Sequence, residues 1–127
     1  MNSYDLYLDF DGVLVDTINV TYEMMRKLKI DIENDKDSVS KFYKELNWKE
    51  LLNHINHINE SFKHIRSMKK LGLYNLYILT TVQSLEEIRA KIEYIRKYDE
   101  SIKIISVPKG IEKRFSKCQR FNISRWL

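Results

Sequence analysis

The stretch YDLYLDFDGVLVDT (residues 4–17) has an acidic pair directly after an apolar run. A short apolar and aromatic run that ends at acids predicts a buried β-strand with carboxylates at its C-terminal end. In open α/β sheets, ligands bind at that end of the strands. Asp9 and Asp11 are two residues apart, so in an extended strand both side chains point to one side. Gly12 allows the chain to turn sharply just after the pair.

The acidic pair predicts a cation site. Two carboxylates this close repel each other, and they remain ionised at low cost only if a cation lies between them. Mg²⁺ is a hard ion that prefers oxygen ligands, so Asp9 and Asp11 are its expected ligands. The alternative is a strand end with solvated acids, or an Asx-type turn around Asp11 and Gly12, because turns favour these residues.

The rest of the chain alternates predicted helices and strands. Residues 75–80 (NLYILT) and 102–107 (IKIISV) are apolar runs typical of buried strands. Helices are expected at residues 18–28, at residues 39–46, from Asn47 toward Gly72 and from Ser84 onward. Strands that alternate with helices predict an α/β fold with a parallel sheet and crossover helices. Asp16 and Thr17 are expected to cap the first helix.

The helix that begins at Asn47 has the clearest pattern. Asn47 and Glu50 have the spacing of a capping box, and Gly72 stands where such a helix would end. Its expected inward positions are Leu51, Ile55, Ile58, Phe62 and Ile65. His57 and His64 would share a face of this helix, either as a transition-metal site or as histidines at the border of the apolar face.

Two more sets of side chains are expected to define the packing. In the last helix, Ser84 and Glu87 form a second capping box. The expected inward positions of that helix are Leu85, Ile88, Ile92 and Ile95. Phe42, Tyr43 and Trp48, between the first two strands, are expected either to stack on a nucleobase or to pack in a core.

Residues 9–17 (DFDGVLVDT) resemble the first motif of the haloacid dehalogenase superfamily, whose members are mostly Mg²⁺-dependent phosphohydrolases. The resemblance implies a Rossmann-like parallel sheet and a small helical cap inserted after the first strand. It divides a single domain (1–127) into a core of about 1–18 and 68–110, a cap of about 19–67, and an atypical basic tail of 111–127. The alternative for the insertion is extra helices packed on the sheet. The small cap and compact size are similar to the 5′-nucleotidase-type branch.

The resemblance also implies the catalytic residues. Asp9 would attack phosphorus to form an aspartyl phosphate, and Asp11 would act as general acid and base. Thr80, at the end of the second strand, would bind the phosphate, and Lys109, after the third strand, would neutralise its charge. Mg²⁺ would be held by Asp9 and by the main-chain carbonyl of Asp11. Gly12 and Thr81 are the expected substrate-binding residues.

The C-terminal part departs from the superfamily pattern. A fourth motif should be an apolar strand ending in one or two Asp residues, but residues 111–127 contain no Asp and one Glu, Glu112. The resemblance therefore covers about residues 4–110, and the composition break near Glu112 is typical of a truncated or frame-shifted end. Without the missing strand, the first strand would be an open edge to which another chain could pair, unless the last seven residues replace it.

Composition and charge restrict the function classes. With 43% hydrophobic and 31% charged residues, the 127-residue chain has the composition of one soluble globular domain. The longest uncharged stretch, residues 71–85, is too short and too polar to span a bilayer, so no membrane partner is expected. The entire net charge of +4 lies in residues 111–127, and the neutral remainder argues against nucleic-acid binding. The single cysteine, Cys118, excludes an internal disulfide, and without a visible signal peptide a cytoplasmic location is expected.

The resemblance to the haloacid dehalogenase superfamily implies a Mg²⁺-dependent phosphohydrolase. Its expected substrate is a small phosphomonoester, with a nucleotide as one candidate, and its activity would be impaired by the missing acidic motif. The alternative is a catalytically inactive, truncated relative that binds a phosphate ligand or a protein.

Overall fold

The computed structural model describes residues 4–109 and the backbone of Arg120 and Phe121. The elements in this part of the chain are β1 (Tyr4–Asp9), α1 (Thr17–Lys27), α2 (Lys36–Glu45), α3 (Trp48–Asn53), α4 (Ser61–Leu71), β2 (Tyr74–Val82), α5 (Leu85–Tyr98), β3 (Lys103–Pro108) and β4 (Arg120–Phe121). The predicted α/β class is confirmed at this level. The rest of the predicted tail, with Cys118, lies outside the described residues. No helix in the described part is long and apolar enough to cross a membrane.

The sheet is parallel, and β2 lies between β1 and β3. Leu8 of β1 pairs with Ile78 of β2, which pairs in turn with Ile104 of β3. The apolar side chains of the central strands are buried: Leu8 and Ile78 are 1% and 0% exposed. Asp9 pairs with Leu79 at the last step of the β1–β2 register, so the carboxyl ends of these strands share one edge of the sheet.

The two-residue strand β4 pairs with β1 on the side opposite β2. Its pairing is parallel, with Tyr7 opposite Arg120 and Leu8 opposite Phe121. The sequence predicts either an open edge at the first strand or a substitute strand from the C-terminal residues. The edge of β1 is covered at Tyr7 and Leu8.

The single long helix predicted from Asn47 toward Gly72 is wrong. The structure has two helices there, α3 and α4, separated by residues 54–60. Asn59 and Glu60 have positive φ angles of 48° and 55°, which no α-helix accommodates. Both helix ends that the sequence predicted are confirmed, because the Asn47 side chain accepts the N–H of Glu50 and Gly72 closes α4 in the left-handed conformation.

The break between α3 and α4 is fixed by hydrogen bonds to the loop that follows β1. Ile58 donates its N–H to the carbonyl of Leu14 at 3.0 Å, and the Ser61 hydroxyl donates to the same carbonyl at 2.7 Å. Asp16 donates its N–H to the carbonyl of Asn56 at 3.3 Å. These bonds to a distant loop satisfy backbone groups that a continuous helix would satisfy internally.

The histidine face predicted on the long helix is also wrong, because His57 lies in the break and only His64 is helical. The His57 ring packs against aromatic rings, with centroid distances of 4.8 Å to Phe62 and 4.5 Å to Tyr98. Burial, with a smaller contribution from the positive charge of Arg66, lowers the pKa of His57 and favours its neutral form.

Helix α5 turns a different side toward the sheet from the one predicted. Leu85 and Ile92 are 70% and 37% exposed, and of the four expected inward positions only Ile95 is fully buried. The buried residues of α5 are Glu87, Ala90, Lys91, Tyr94 and Ile95. Ser84 accepts the N–H of Glu87 at 3.1 Å, so its predicted cap is confirmed. The inward side of α5 thus carries two ionisable groups to the carboxyl edge of the sheet.

Candidate functional site

The chain turns sharply after β1 and holds Asp11 at the carboxyl edge of the sheet. The carbonyl of Phe10 accepts the N–H groups of Leu14 and Val15 at 3.0 and 3.3 Å. Gly12 donates its own N–H to the carbonyl of Val15 at 2.9 Å. Its φ of +76° lies in the left-handed region that favours glycine. The predicted turn at Gly12 is confirmed, and main-chain hydrogen bonds fix its geometry.

Both carboxylate oxygens of Asp11 accept hydrogen bonds. Thr17 Oγ1 donates to Oδ1 at 2.6 Å, and Lys91 Nζ donates to Oδ2 at 2.7 Å. The expected cap of the first helix is therefore wrong in its details. Asp16 occupies the N-cap position of α1 without a side-chain cap hydrogen bond, and the Thr17 hydroxyl binds Asp11.

Lys91 of α5 is completely buried beside Asp11, with 0% of its surface exposed. Its Nζ also donates to Glu87 Oε2 at 2.6 Å and to Thr80 Oγ1 at 2.8 Å. An ammonium group has three donors, so these three acceptors satisfy it. Lys91 thereby links the ends of β1 and β2 to α5.

Sequence reasoning missed Lys91 as a site residue. Glu87 and Lys91 are four residues apart on a helix, a spacing that is typical of exposed ion pairs. In the structure both side chains are buried, at 3% and 0% exposure. Burial raises the pKa of Glu87, and the neighbouring charge of Lys91 opposes part of that rise. Nothing in the sequence distinguishes this buried pair from a surface one.

A cavity of about 160 Å³ lies between the carboxyl edge of the sheet and the helices that follow β1. From the strand ends and α5, its lining residues are Asp11, Thr81, Gln83, Glu87 and Lys109. From the helices that follow β1, they are Thr17, Ile18, Thr21, Tyr43 and Trp48. The cavity therefore combines acidic and basic groups on one side with hydroxyl, aromatic and aliphatic groups on the other.

Tyr43 and Trp48 line the cavity on the side of α2 and α3. Their rings are stacked, with centroids 6.3 Å apart and planes inclined by 20°. Trp48 donates its Nε1–H to the carbonyl of Tyr43 at 3.3 Å, and the Tyr43 hydroxyl lies 2.9 Å from Thr21 Oγ1. The Lys91 ammonium lies 4.7 Å from the Trp48 ring centroid, a cation–π distance. Of the two roles predicted for these aromatic residues, the contacts of Trp48 are those of core packing, since it is 4% exposed.

The predicted site residues divide between the cavity and its surroundings. Asp11, Thr81 and Lys109 line the cavity. Asp9 and Thr80 are not among the described residues that line it: Asp9 is the last residue of β1 and is partly exposed, and Thr80 is buried. The structure thus brings residues from the ends of three strands to one cavity, and the predicted nucleophile is not one of them.

Oxygen donors suited to Mg²⁺ are present but few. The Asp9 carboxylate and the main-chain carbonyl of Asp11 are hard donors, and Mg²⁺ commonly retains waters and substrate phosphates as its other ligands. The Asp11 carboxylate already accepts from Thr17 and Lys91. Among residues 4–109, no group of three or more His, Cys, Asp or Glu side chains could hold a metal ion. A Mg²⁺ ion held by these two donors would take most of its ligands from water and phosphate.

A scan against protein-family models and a search of curated proteins both find no match. The resemblance to the haloacid dehalogenase superfamily therefore rests on the motif residues of the chain itself. Any functional interpretation follows from the geometry of the cavity and the chemistry of its side chains.

Replacing Gly12 with Ala is expected to lower the free energy of unfolding by about 2 kcal/mol, and Gly72→Ala by about 1 kcal/mol. Both glycines have positive φ, at 76° and 69°. A Cβ on Gly12 would lie 2.6 Å from Ile18 Cδ1, whereas a Cβ on Gly72 would have no atom within 4 Å. Urea denaturation measures the loss of unfolding free energy in each variant, and the difference between the two losses is the cost of displacing Ile18. Equal losses would show that Ile18 moves away freely.

Proposed function

We propose that this protein is a haloacid dehalogenase-like phosphohydrolase acting on a small phosphomonoester. One observation carries the proposal: a single cavity is lined by Asp11, which follows β1, Thr81 of β2 and Lys109, which follows β3. In open α/β sheets this edge is where ligands bind. Under the proposal, the sheet is a Rossmann-like core, and the helices between β1 and β2 are its cap.

The proposed chemistry uses side chains of the chain itself. Asp9 attacks the phosphorus atom, and the leaving oxygen departs with the bonding electron pair. Asp11, as the superfamily resemblance implies, donates a proton to the leaving oxygen. Water then attacks the phosphorus of the aspartyl phosphate while Asp11 takes a proton from it, so inorganic phosphate leaves and the Asp9 carboxylate is restored. Thr81 binds the phosphoryl group, and Lys109, which also lines the cavity, offsets its charge.

Mg²⁺, held by Asp9 and the main-chain carbonyl of Asp11, would supply further positive charge at the transferring phosphoryl group. The buried ammonium of Lys91 lies 2.7 Å from the Asp11 carboxylate and 2.6 Å from that of Glu87, so these two acids offset its charge. Positive charge from the chain at the phosphoryl group is therefore assigned to Lys109, which lines the cavity.

A second candidate is a protein that binds phosphate compounds without turning them over. The observation that favours it is the state of Asp11, whose two oxygens already accept from Thr17 and Lys91. A general acid must direct a proton at the leaving oxygen, and these contacts direct both Asp11 oxygens elsewhere. The cavity would still offer Lys109 and Thr81 to a phosphate group.

Hydrolysis of glycerol 3-phosphate separates the two candidates. We expect release of inorganic phosphate in the presence of Mg²⁺ and a much slower release after the metal is chelated. Circular dichroism and a cooperative thermal transition establish that the protein is folded under both conditions. The absence of phosphate release from folded protein with Mg²⁺, from glycerol 3-phosphate and from adenosine 5′-monophosphate alike, would overturn the enzyme and leave the binding protein.

A further inference from the structure

The cavity is small for a ligand site. Pockets for drug-sized ligands occupy roughly 300–1,000 Å³, and this cavity has a volume of about 160 Å³. A phosphate group and a short substituent fill such a space. A substituent as large as a nucleoside would have to extend out of the cavity and find its contacts elsewhere.

The side of the cavity formed by the helices is held in place by hydrogen bonds. The Tyr43 hydroxyl lies 2.9 Å from Thr21 Oγ1, which joins α2 to α1. Ser40 Oγ donates to Gln83 Oε1 at 3.3 Å, which joins α2 to the segment after β2. Trp48 donates to the carbonyl of Tyr43 and is 4% exposed. The Ser40–Gln83 contact joins the two sides of the cavity and the other two hold the helical side together, so all three oppose expansion of the cavity around a larger ligand.

The aromatic rings at the cavity are already engaged. A nucleobase is bound most readily by stacking on an exposed aromatic face. The Trp48 ring stacks on Tyr43 and lies 4.7 Å from the Lys91 ammonium. Tyr43 also meets Phe42 edge-on, with ring centroids 5.4 Å apart. Trp48 is 4% exposed, so its ring offers a base no open face, and one face of the Tyr43 ring is covered by Trp48.

We infer that the phosphate site, on the proposed function, selects small non-aromatic phosphate compounds and rejects nucleotides, with Ile18, Tyr43 and Trp48 as the residues that limit substituent size. Lys109 and Thr81 bind the phosphate, and a two- or three-carbon substituent lies against Ile18. Of the three, Ile18 is the residue that can be shortened with least effect on the fold. It is 41% exposed, and its side chain makes none of the hydrogen bonds that hold Tyr43 and Trp48.

The first test compares glycerol 3-phosphate with adenosine 5′-monophosphate, by kcat/KM for phosphate release and by calorimetric binding. The smaller compound is expected to have the higher kcat/KM by at least about a hundredfold, because a site closed by packed side chains rejects larger groups strongly. Similar kcat/KM values would overturn the inference and leave the phosphohydrolase standing. Binding of glycerol 3-phosphate alone, without turnover of either compound, would overturn the enzyme and support the inference. Neither binding nor turnover would overturn both.

The second test shortens the side chain of Ile18. Ile18→Ala is expected to raise kcat/KM for phenyl phosphate relative to glycerol 3-phosphate by about tenfold, because it removes apolar bulk from the lining. Leu28→Ala is the matched control, since Leu28 follows the other end of α1, is 63% exposed and does not line the cavity. An unchanged ratio in Ile18→Ala, or the same change in both variants, would show that Ile18 does not limit the substituent.

Discussion

Replacing Asp9 with Asn is expected to reduce kcat/KM for glycerol 3-phosphate at least about a thousandfold, because an amide cannot replace a carboxylate as the attacking group. Asp9 ends β1 opposite Leu79, at the edge of the sheet where the cavity lies. The substitution preserves the size of the side chain, so the strand pairing should survive. The measurement is the initial rate of phosphate release with Mg²⁺ present, together with the urea midpoint of each variant.

Asp5→Asn is the matched control for this substitution. Asp5 lies on the same strand, near its opposite end, and accepts a hydrogen bond from Asn75 at 3.1 Å. It is exposed and lies four residues before Asp9, at the other end of the strand from the acidic turn. The initial rate of phosphate release by the Asp5→Asn variant should remain within about twofold of the wild-type rate, since substitutions at exposed positions away from the site have small effects. If Asp9→Asn and Asp5→Asn have similar rates, Asp9 is not the nucleophile.

Replacing Lys91 with Met is expected to lower the free energy of unfolding by about 3–5 kcal/mol, because it leaves buried acids without their cation. Lys91 is 0% exposed and pairs with Glu87 at 2.6 Å and with Asp11 at 2.7 Å. Met fills a similar volume, so the loss reports charge and hydrogen bonding more than packing. Urea denaturation at neutral pH provides the measurement, and Lys97→Met, at an exposed position of the same helix, is the control.

The destabilisation should increase with pH. In the wild type, burial raises the pKa of Glu87 and the Lys91 charge opposes part of that rise. Without Lys91, burial and the negative charge of Asp11 raise the pKa of Glu87 further against the remaining hydrogen bond from the Gln83 N–H. The folded variant therefore favours a protonated Glu87 and loses stability as pH rises through that higher pKa. The double variant Glu87→Gln, Lys91→Met should recover a large share of the loss. A Lys91→Met variant as stable as Lys97→Met at pH 8 would contradict this account.

The strands could be predicted because each of them is a short apolar run whose burial needs no information from distant residues. Residues 75–80 lie within β2 (Tyr74–Val82), and residues 102–107 largely coincide with β3 (Lys103–Pro108). The turn at Gly12 was predictable for a similar reason, since glycine tolerates the left-handed φ that the turn requires.

The break between α3 and α4 could not be predicted from the periodicity of apolar residues. The spacing of Leu51, Ile55, Ile58, Phe62 and Ile65 fits one continuous helix. What interrupts it is tertiary, because the backbone of residues 56–58 bonds to the loop after β1. Local propensity is a weak preference that such contacts override.

Lys91 could not be predicted as a site residue either, because the sequence pattern does not report tertiary packing. Motif spacing pointed to Asp11, Thr81 and Lys109, which line the cavity, but it gave no indication of Lys91. A helical Glu–Lys pair four residues apart has the same sequence pattern whether it faces water or the core. Only the packing of α5 on the sheet shows that this pair faces inward.

The hydrogen bond that anchors the Leu14 carbonyl has a consequence for how the acidic turn forms during folding. This carbonyl receives the Ser61 hydroxyl from 47 positions further along the chain. During synthesis, the Leu14 carbonyl lacks this partner until the start of α4 has emerged and docked. Residues 9–17 transplanted alone onto another parallel sheet would carry the acids and the local hydrogen bonds of the turn, but not the segment that anchors Leu14. The complete arrangement therefore requires two separate segments of the chain.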